Sequence, residues 1–202
     1  MEYVVFSIIG YMSGSVLYGY ALPKLLKGVD VREVSRDKNP GVANAFQYGG
    51  FWCGSLVVIL ELSKAFLPVF VASKVVDIAG LKFALVLAAP VIGHAYPLFF
   101  KGNGGKSIAA SFGALLGLAP EMKPVLLLAL LYLLFSLVVV INPHFYRSII
   151  TFILFAMGNL ATTPYMGVRA GGFLIGMIVV AKHFIRYQGE QPEVHLLKGR
   201  AQ

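Results

Sequence analysis

Two short polar segments interrupt an otherwise apolar sequence, and they hold the residues best suited to chemistry. The first contains Asn39-Pro-Gly-Val-Ala-Asn44. Pro40-Gly41 predicts a tight turn in which glycine allows the backbone to approach a ligand closely. Asn39 and Asn44 offer side-chain amides, and clustered N–H groups of this kind bind anions. Taken alone, the pattern favours an ordinary turn that caps a helix, and an anion site is the alternative that the same residues would serve.

The second polar segment is Lys101-Gly-Asn-Gly-Gly-Lys-Ser107, and an apolar run typical of a helix follows it. Gly104 and Gly105 expose backbone N–H groups, a helix N-terminus adds a positive partial charge, and Lys106 adds a full one. Phosphate is the ligand that this combination favours, with Ser107 close by. The segment is not a P-loop, because Phe100 stands where the first glycine is required. In the alternative interpretation Lys106 only anchors a helix end at the membrane surface.

Other ionisable side chains lie inside apolar runs or at their ends. Glu61 and Lys64 are three positions apart within one run. Charges at such depth are costly and face a protein interior or a polar cavity. We expect this pair to border the site, although a purely structural ion pair fits equally well. His94 and His183 end two further runs near the polar segments, so they are candidates for the site as well as for packing.

The remaining histidines, His144 and His195, are assigned to a turn and to the C-terminal tail. The sequence has one cysteine, Cys53, and it has no His-Glu-x-x-His motif. It therefore contains no plausible metal site. We expect no metal, no cofactor and no nucleic-acid partner.

The rest of the chain is a series of apolar runs. Of its 202 residues 58% are hydrophobic and 13% are charged, and mean hydropathy is +0.78. These values exceed those of ordinary globular proteins, and runs of about 20 apolar residues can cross a bilayer. The start, Met-Glu-Tyr, lacks the basic segment of a signal peptide, so we expect the first run to be retained. The sequence predicts a single all-α membrane domain over residues 1–202.

Hydropathy, read together with the charged breaks, predicts seven transmembrane helices. Their ranges are 2–26, 51–74, 80–100, 106–119, 124–142, 147–163 and 166–185. The fourth is short enough to be a half-span whose glycine-rich entrance lies within the membrane. The pairs Gly10/Gly14, Gly113/Gly117 and Gly172/Gly176 predict close contacts between helices.

The distribution of basic residues orients these helices. The side that holds both polar segments and the C-terminal tail carries twelve of the seventeen Lys and Arg residues, with Lys198 and Arg200 among them. The opposite side carries four, and Lys64 is intramembrane. The positive-inside rule therefore predicts an outer N-terminus and a cytoplasmic C-terminus, with the polar segments cytoplasmic. A net charge of +8 suits anionic headgroups and phosphate-bearing ligands.

Taken in order, these motifs resemble those of the bacterial acyl-phosphate:glycerol-3-phosphate acyltransferases, small membrane enzymes with seven spans. The resemblance covers nearly the whole chain and rests on these segments: Gly14-Ser-Val-Leu-Tyr-Gly19, Lys27–Arg32, Asn39–Asn44, Glu61-Leu-Ser-Lys64, Gly93-His-Ala-Tyr-Pro97, Gly104-Gly-Lys-Ser107, Tyr146–Thr151 and Leu196–Gly199. Each segment alone is common, but the ordered set is specific to that family.

Four positions depart from the pattern of the family that the chain resembles. Asp37 stands in place of a serine, Gln47 in place of an arginine, Asn103 in place of a lysine, and Arg186 in place of an asparagine. Lys101 could substitute for the lysine missing at Asn103. Charges are thus moved around the site more than they are removed. Either the phosphate sites are rebuilt, or the chain is a divergent paralogue.

The resemblance implies transfer of a fatty acyl group from acyl phosphate to the sn-1 hydroxyl of glycerol 3-phosphate. The products are lysophosphatidate and phosphate, at the first step of phospholipid biosynthesis in the inner (plasma) membrane. The expected catalytic residues are Lys106, His183 and Asp37, and the expected substrate-binding residues are Asn39, Gly41, Asn44, Glu61, Lys64, His94, Gly104, Gly105, Ser107 and Ser148. Three candidates remain for the acceptor of the hydroxyl proton: Asp37, His183 and a substrate phosphate oxygen.

Two alternatives belong to other classes. The departures from the family pattern fit a non-catalytic paralogue that binds phospholipid or phosphorylated small molecules. A small-anion transporter would need polar residues on both faces of the membrane. The outer loops 74–82, 118–123 and 162–169 are poor in them, so this alternative is disfavoured.

Overall fold

The computed structural model describes residues 1–189 and 191–196. The predictions for Lys198, Arg200 and the end of the segment Leu196–Gly199 lie outside these residues. The helices are α1 Glu2–Gly14, α2 Tyr18–Lys27, α3 Val31–Val34, α4 Val42–Val75, α5 Phe83–Ala95, α6 Ile108–Leu116, α7 Lys123–Leu133, α8 His144–Thr162 and α9 Met166–Ile185. A 3-10 turn, Leu98–Phe100, follows α5, and a π-helical turn, Leu134–Val138, extends α7. Two short strands, β1 Val139–Asn142 and β2 Glu193–Leu196, pair antiparallel.

Five stretches of the described chain are long and apolar enough to cross a membrane. They are Glu2–Lys27, Val42–Val75, Phe83–Phe100, His144–Thr162 and Met166–Ile185. These stretches correspond to the first, second, third, sixth and seventh predicted spans. The fourth and fifth predicted spans correspond to shorter apolar helices, α6 with 9 residues and the stretch Lys123–Val138.

Several helix boundaries differ from the prediction, and three of the differences change the course of the chain. The first span is divided between α1 and α2. Helix α4 begins at Val42 and is kinked at Gly50, where φ is 83°, a left-handed value that favours glycine. The predicted start at residue 51 coincides with the second part of this helix. The prediction that the fifth span stays helical to residue 142 is wrong, because the β-branched run Val138–Ile141 favours a strand once β2 lies beside it.

The predicted glycine pairs are confirmed as helix contacts. Gly10 and Gly14 of α1 face Ala89 and Pro90 of α5, so closely that a Cβ atom at Gly14 would collide with the Pro90 carbonyl. The Gly113/Gly117 pair packs on α4 in the same way, and the Gly172/Gly176 pair packs on α8. Without side chains between them, the backbones approach to a distance that gives extensive van der Waals contact.

Helix α5 lies in the middle of the bundle, between α1 and α9, while α4 packs against α2 and α6. Buried aromatic and aliphatic side chains such as Phe83, Phe152 and Leu128 fill the core. Large apolar side chains also point outward, as at Leu67 and Leu130, which are 56% and 65% exposed. An apolar exterior around an apolar core is typical of helices in lipid. The segments between α3 and α4 and between α5 and α6 then meet at one end of the bundle.

Candidate active site

A cavity of about 870 Å³ opens where the two polar segments meet. Eight of the predicted site residues line it: Asp37, Asn39, Gly41, Asn44, Glu61, His94, Lys106 and Ser107. Polar side chains surround one end, and apolar side chains of α4 and α6 surround the other. Both polar segments thus line one cavity.

An ion pair connects the two polar segments across the cavity. Lys106 Nζ lies 2.9 Å from Asp37 Oδ2. The other carboxylate oxygen of Asp37 accepts hydrogen bonds from Asn44 Nδ2 at 2.8 Å and from the Asn39 N–H at 3.2 Å. Burial alone would raise the pKa of the Asp37 carboxyl, but the bonds from Lys106 and Asn44 outweigh it and hold this pKa below its usual value. Asp37 therefore stays ionised at neutral pH, which makes it a weak general base.

The two glycine amides that were expected to face a phosphate are engaged elsewhere. The Gly104 N–H donates to Ala95 O at 3.2 Å, and the Gly105 N–H donates to His94 O at 3.0 Å. The expectation that they form an anion cradle is therefore wrong. Both positions need glycine for another reason, because a Cβ atom at either would collide with His94. The glycines allow the second polar segment to pack directly on the end of α5.

The N-terminus of α6 supplies the N–H groups that those glycines do not. Ile108 and Ala109, the first residues of α6, line the cavity beside Lys106. The first amides of a helix have no partner within the helix and carry a positive partial charge. Ser107 is buried, and its hydroxyl donates to Val91 O at 3.1 Å, which fixes the start of α6 on α5.

The asparagines mainly stabilise the turn between them, with one donor left over. Asn44 Nδ2 donates to Asn39 O at 2.8 Å as well as to Asp37. Asn39 Oδ1 accepts from the Lys106 N–H at 3.2 Å, which connects the segments a second time. Asn39 lines the cavity, and its Nδ2 has no hydrogen-bond partner among the described residues. It is therefore available to a ligand.

Arg186 holds the same two segments together from α9, a role that the sequence did not indicate. Its Nη1 donates to Asp37 O at 2.8 Å, and its Nη2 donates to Gly104 O at 2.7 Å. Gln188 Nε2 donates to Arg36 O at 2.7 Å nearby. All these residues except Gly104 line the cavity. The only indication of this role in the sequence was that Arg186 stands where the pattern of the resembled family has an asparagine.

Glu61, Lys64 and His94 form a buried cluster beneath the polar end. Lys64 Nζ lies 2.6 Å from Glu61 Oε2, and His94 Nδ1 lies 2.9 Å from the same oxygen. Glu61 Oε1 accepts from the Gly19 N–H at 3.3 Å, and Lys64 Nζ also donates to Val16 O. The ion pair that was one of the two interpretations of Glu61 and Lys64 is thus present. Glu61 and His94 face the cavity, while Lys64 lies behind them.

The histidines of α8 and α9 differ from the prediction, because His144 lines the cavity and His183 does not. His144, assigned to a turn, is the first residue of α8 and lines the cavity. His183 is fully buried and does not line the cavity, but its ring lies 6.4 Å from that of His144. Ser148 is also behind the wall, where its hydroxyl bonds His144 Nδ1 and Tyr132 OH, both at 2.8 Å. The spacing of His144 and Ser148, one helical turn apart, could have revealed this connection.

His183 nevertheless holds an unused acceptor. Its Nδ1 lies 2.8 Å from Val179 O, and a carbonyl only accepts, so Nδ1 carries the proton. Nε2 is then an acceptor in the neutral ring, and it has no hydrogen-bond partner within the described residues. A buried acceptor without a partner is costly, which favours a ligand donor in its place. Among residues 1–189 and 191–196, no cluster of His, Cys, Asp or Glu could hold a metal ion.

Comparison with known proteins identifies the family. The family model for glycerol-3-phosphate acyltransferase matches residues 4–189. This chain belongs to that family. The matched range includes Asp37, Lys106 and Arg186, which line the cavity.

Individual relatives agree with this family over different lengths. A glycerol-3-phosphate acyltransferase of Thermotoga petrophila is 39% identical over 113 residues, 56% of this chain and 57% of the relative. One of Macrococcus caseolyticus is 29% identical over 206 residues, 98% of this chain and 100% of the relative. The chain thus spans little more than half of the Thermotoga protein but the full length of the Macrococcus one.

Two solved structures share the fold. Both are crystal structures of PlsY (YgiH), an integral membrane glycerol 3-phosphate acyltransferase. The glycerol 3-phosphate form has a TM-score of 0.78 and 28% identity, over 92% of this chain and 90% of PlsY. The lysophosphatidic acid form has a TM-score of 0.76 and 27% identity, over 91% and 88%. The prediction of an integral, multi-pass, all-α membrane protein is confirmed, with the β1–β2 pair as its one small addition among the described residues.

Proposed function

We propose that this chain transfers a fatty acyl group from acyl phosphate to the sn-1 hydroxyl of glycerol 3-phosphate and releases lysophosphatidate and phosphate. One observation carries the proposal. A single cavity joins an end lined by Arg36, Lys106 and Arg186 to a groove lined by apolar side chains. Substrates that combine phosphate with a fatty chain need both. The two PlsY forms bind glycerol 3-phosphate and lysophosphatidic acid in the same fold.

The polar end supports binding of two phosphate groups. Lys106 and the first amides of α6 supply positive charge on one side, and Arg186 and Arg36 supply it on the other. Asp37 lies between them as the paired anion. The replacement of serine by Asp37 and of asparagine by Arg186 adds one charge of each sign, so the pair rebuilds the site without changing its net charge.

The reaction needs little covalent help from the protein. The hydroxyl oxygen attacks the acyl carbonyl carbon, the carbonyl–phosphate C–O bond breaks, and phosphate leaves with the bonding electrons. Acyl phosphate is already activated, so orienting two anions and stabilising charge on the leaving group supply most of the rate. The hydroxyl proton has three candidate acceptors: Asp37, which lines the cavity but is paired with Lys106, a substrate phosphate oxygen, and His183 Nε2, which has an unused lone pair but lies behind the cavity wall.

We further infer that the chain crosses the bilayer seven times, with its N-terminus outside and the cavity on the cytoplasmic side of the inner (plasma) membrane. The excess of Lys and Arg at the cavity end supports this orientation. Helix α6 has 9 residues, which is about 14 Å of helix and half of a hydrocarbon core. Its N-terminus therefore lies below the membrane surface, where an acyl carbonyl would be.

The test is an assay with the purified full-length chain, acyl phosphate and glycerol 3-phosphate. We expect lysophosphatidate and one phosphate per acyl group transferred, and no product when the hydroxyl acceptor is omitted. A folded protein that binds glycerol 3-phosphate but forms no product would instead favour the non-catalytic paralogue. One observation favours that second function: the Asp37 carboxylate forms an ion pair with Lys106 and so neutralises the charge that would bind phosphate.

Arg186→Ala is expected to raise the KM for glycerol 3-phosphate at least tenfold. The change removes two charge-assisted hydrogen bonds that position the polar segments, each contributing roughly 1.5–3 kcal/mol when fully formed. Arg186→Lys keeps the charge but loses the two-pronged geometry, so it should resemble Arg186→Ala. Steady-state kinetics with glycerol 3-phosphate as the varied substrate measure the KM of both variants. A KM for Arg186→Lys equal to that of the unaltered chain would show that charge alone is needed there.

A further inference from the structure

The apolar part of the cavity is a groove between α4 and α6. Ile108, Phe112 and Leu116 are spaced by four residues and therefore lie on one face of α6. All three line the cavity and remain partly exposed, whereas the residues between Phe112 and Leu116 are buried. Val58 and Leu62, also four residues apart, form the opposite wall on α4.

The groove has a definite length. Leu116, the last residue of α6, is nine positions after Ser107 at the polar end, and a rise of 1.5 Å per residue gives about 14 Å. An extended chain advances roughly 1.2 Å per bond, since three backbone bonds span about 3.6 Å. The groove therefore accommodates about 11 carbon atoms beyond the carbonyl. Leu116 stands where an acyl chain of that length would end.

The wall beside Leu116 is held in place. The ring of Phe112 lies 5.9 Å from that of Tyr132, whose hydroxyl bonds Ser148 Oγ at 2.8 Å. Tyr132 also contacts Phe152, a fully buried core residue, at 6.1 Å. A wall fixed by such packing keeps its dimensions, so it can distinguish chains by length.

We propose that Leu116, supported by Phe112, sets the acyl-chain preference of the enzyme. The proposal rests on the acyl transfer proposed above and adds the substrate class: fatty acyl chains of about twelve carbons and longer. Each methylene up to that length packs against the groove lining and gains dispersion contacts with it, which improves binding with each added carbon. Carbons beyond Leu116 lie outside the lining and add little. Shorter chains leave part of the groove empty.

Leu116→Trp and Leu116→Ala test the proposal in opposite directions. kcat/KM would be measured with acyl phosphates of 8, 10, 12, 14 and 16 carbons. In the unaltered chain we expect it to rise with length and to level off near twelve carbons. Leu116→Trp shortens the groove, so the plateau should move to roughly eight to ten carbons. The ratio of kcat/KM with the 16-carbon acyl phosphate to kcat/KM with the 8-carbon one should then fall at least tenfold. Leu116→Ala should move the plateau to longer chains.

Leu67→Trp is the matched control, because Leu67 is 56% exposed on α4 and does not line the cavity. Its length profile should equal that of the unaltered chain. If Leu116→Trp does not fold, Leu116→Phe makes the same comparison with a smaller change in volume. Equal length profiles for the Leu116 variants and the control would overturn the proposal, because Leu116 would then not touch the acyl chain.

Failure of the acyl-transfer proposal would look different. In that case the unaltered chain forms no product at any chain length. The groove is then tested by binding, from the thermal stabilisation that lysophosphatidates of 8 and 16 carbons give to the full chain. The groove inference expects Leu116→Trp to lose the preference for the longer lipid in this measurement also. An unchanged preference would overturn it independently of catalysis.

Discussion

Replacing Lys106 with alanine is expected to lower kcat/KM for acyl transfer about 100- to 1000-fold. This is the loss that follows removal of one preorganised donor from an active site. The variant loses the charge beside the N-terminus of α6, and it also leaves the Asp37 carboxylate without its cation. That carboxylate would then repel a phosphate. Initial rates in membranes or detergent would measure the effect, and full activity would remove Lys106 from the site.

Two further variants separate the lost cation from the exposed carboxylate. Lys38 lies next to Asp37, is exposed and does not line the cavity. The activity of Lys38→Ala should therefore remain within about twofold of that of the unaltered chain. Asp37→Asn combined with Lys106→Ala removes the repulsion but does not restore the cation. If Lys106 acts directly on phosphate, this double variant stays far below normal. Recovery to near-normal activity would mean that Lys106 serves only to neutralise Asp37.

The helices were largely predictable from the sequence because lipid imposes a simple rule. Every backbone polar group in the hydrocarbon must be bonded, so long apolar runs become helices whatever surrounds them. The range 166–185 matches α9 for this reason. The rule fails where a run meets a tertiary partner. Val139–Asn142 is apolar enough to continue α7, yet it pairs with Glu193–Leu196, more than 50 residues later in the chain.

The members of the site were easier to predict than their contacts. Residue type and spacing marked Lys106 and Glu61 as candidates, the family resemblance marked Asp37, and all three line the cavity. Their partners depend on chain reversals that local spacing does not encode. Lys106 bonds a residue 69 positions away, and Arg186 bonds one 149 positions away. The Glu61–Lys64 contact, in contrast, is local, within one turn of α4, and spacing alone offered it as one of two interpretations.

The glycines of the second polar segment show a different limit. A glycine with a free N–H and a glycine that allows close packing are identical in sequence. Gly104 and Gly105 are of the second kind, since both donate to the end of α5. The first residues of α6, Ile108 and Ala109, line the cavity instead. Anion binding at this helix N-terminus stays a prediction, now carried by the amides of α6 and not by those of the glycines.

Glu61→Gln is expected to destabilise the fold by about 3–5 kcal/mol, the cost of leaving a buried charge without its partner. Glu61 is 0% exposed and Lys64 is 5% exposed. Glu61 also contacts His94 and the Gly19 N–H, so its loss affects α2, α4 and α5 together. At roughly 2–4 °C per kcal/mol for a chain of this size, Tm should fall by about 6–20 °C. Thermal unfolding of the purified protein measures this directly.

The double variant Glu61→Gln with Lys64→Met separates the buried charge from the lost hydrogen bonds. If the unpaired ammonium causes the instability, removing it as well should restore most of the lost Tm. Glu33→Gln, at an exposed position in α3, should leave Tm unchanged. A double variant no more stable than Glu61→Gln alone would show that hydrogen bonds to His94 and Gly19 dominate. Because Glu61 and His94 also face the cavity, stability restored without activity would assign this cluster a direct part in substrate binding.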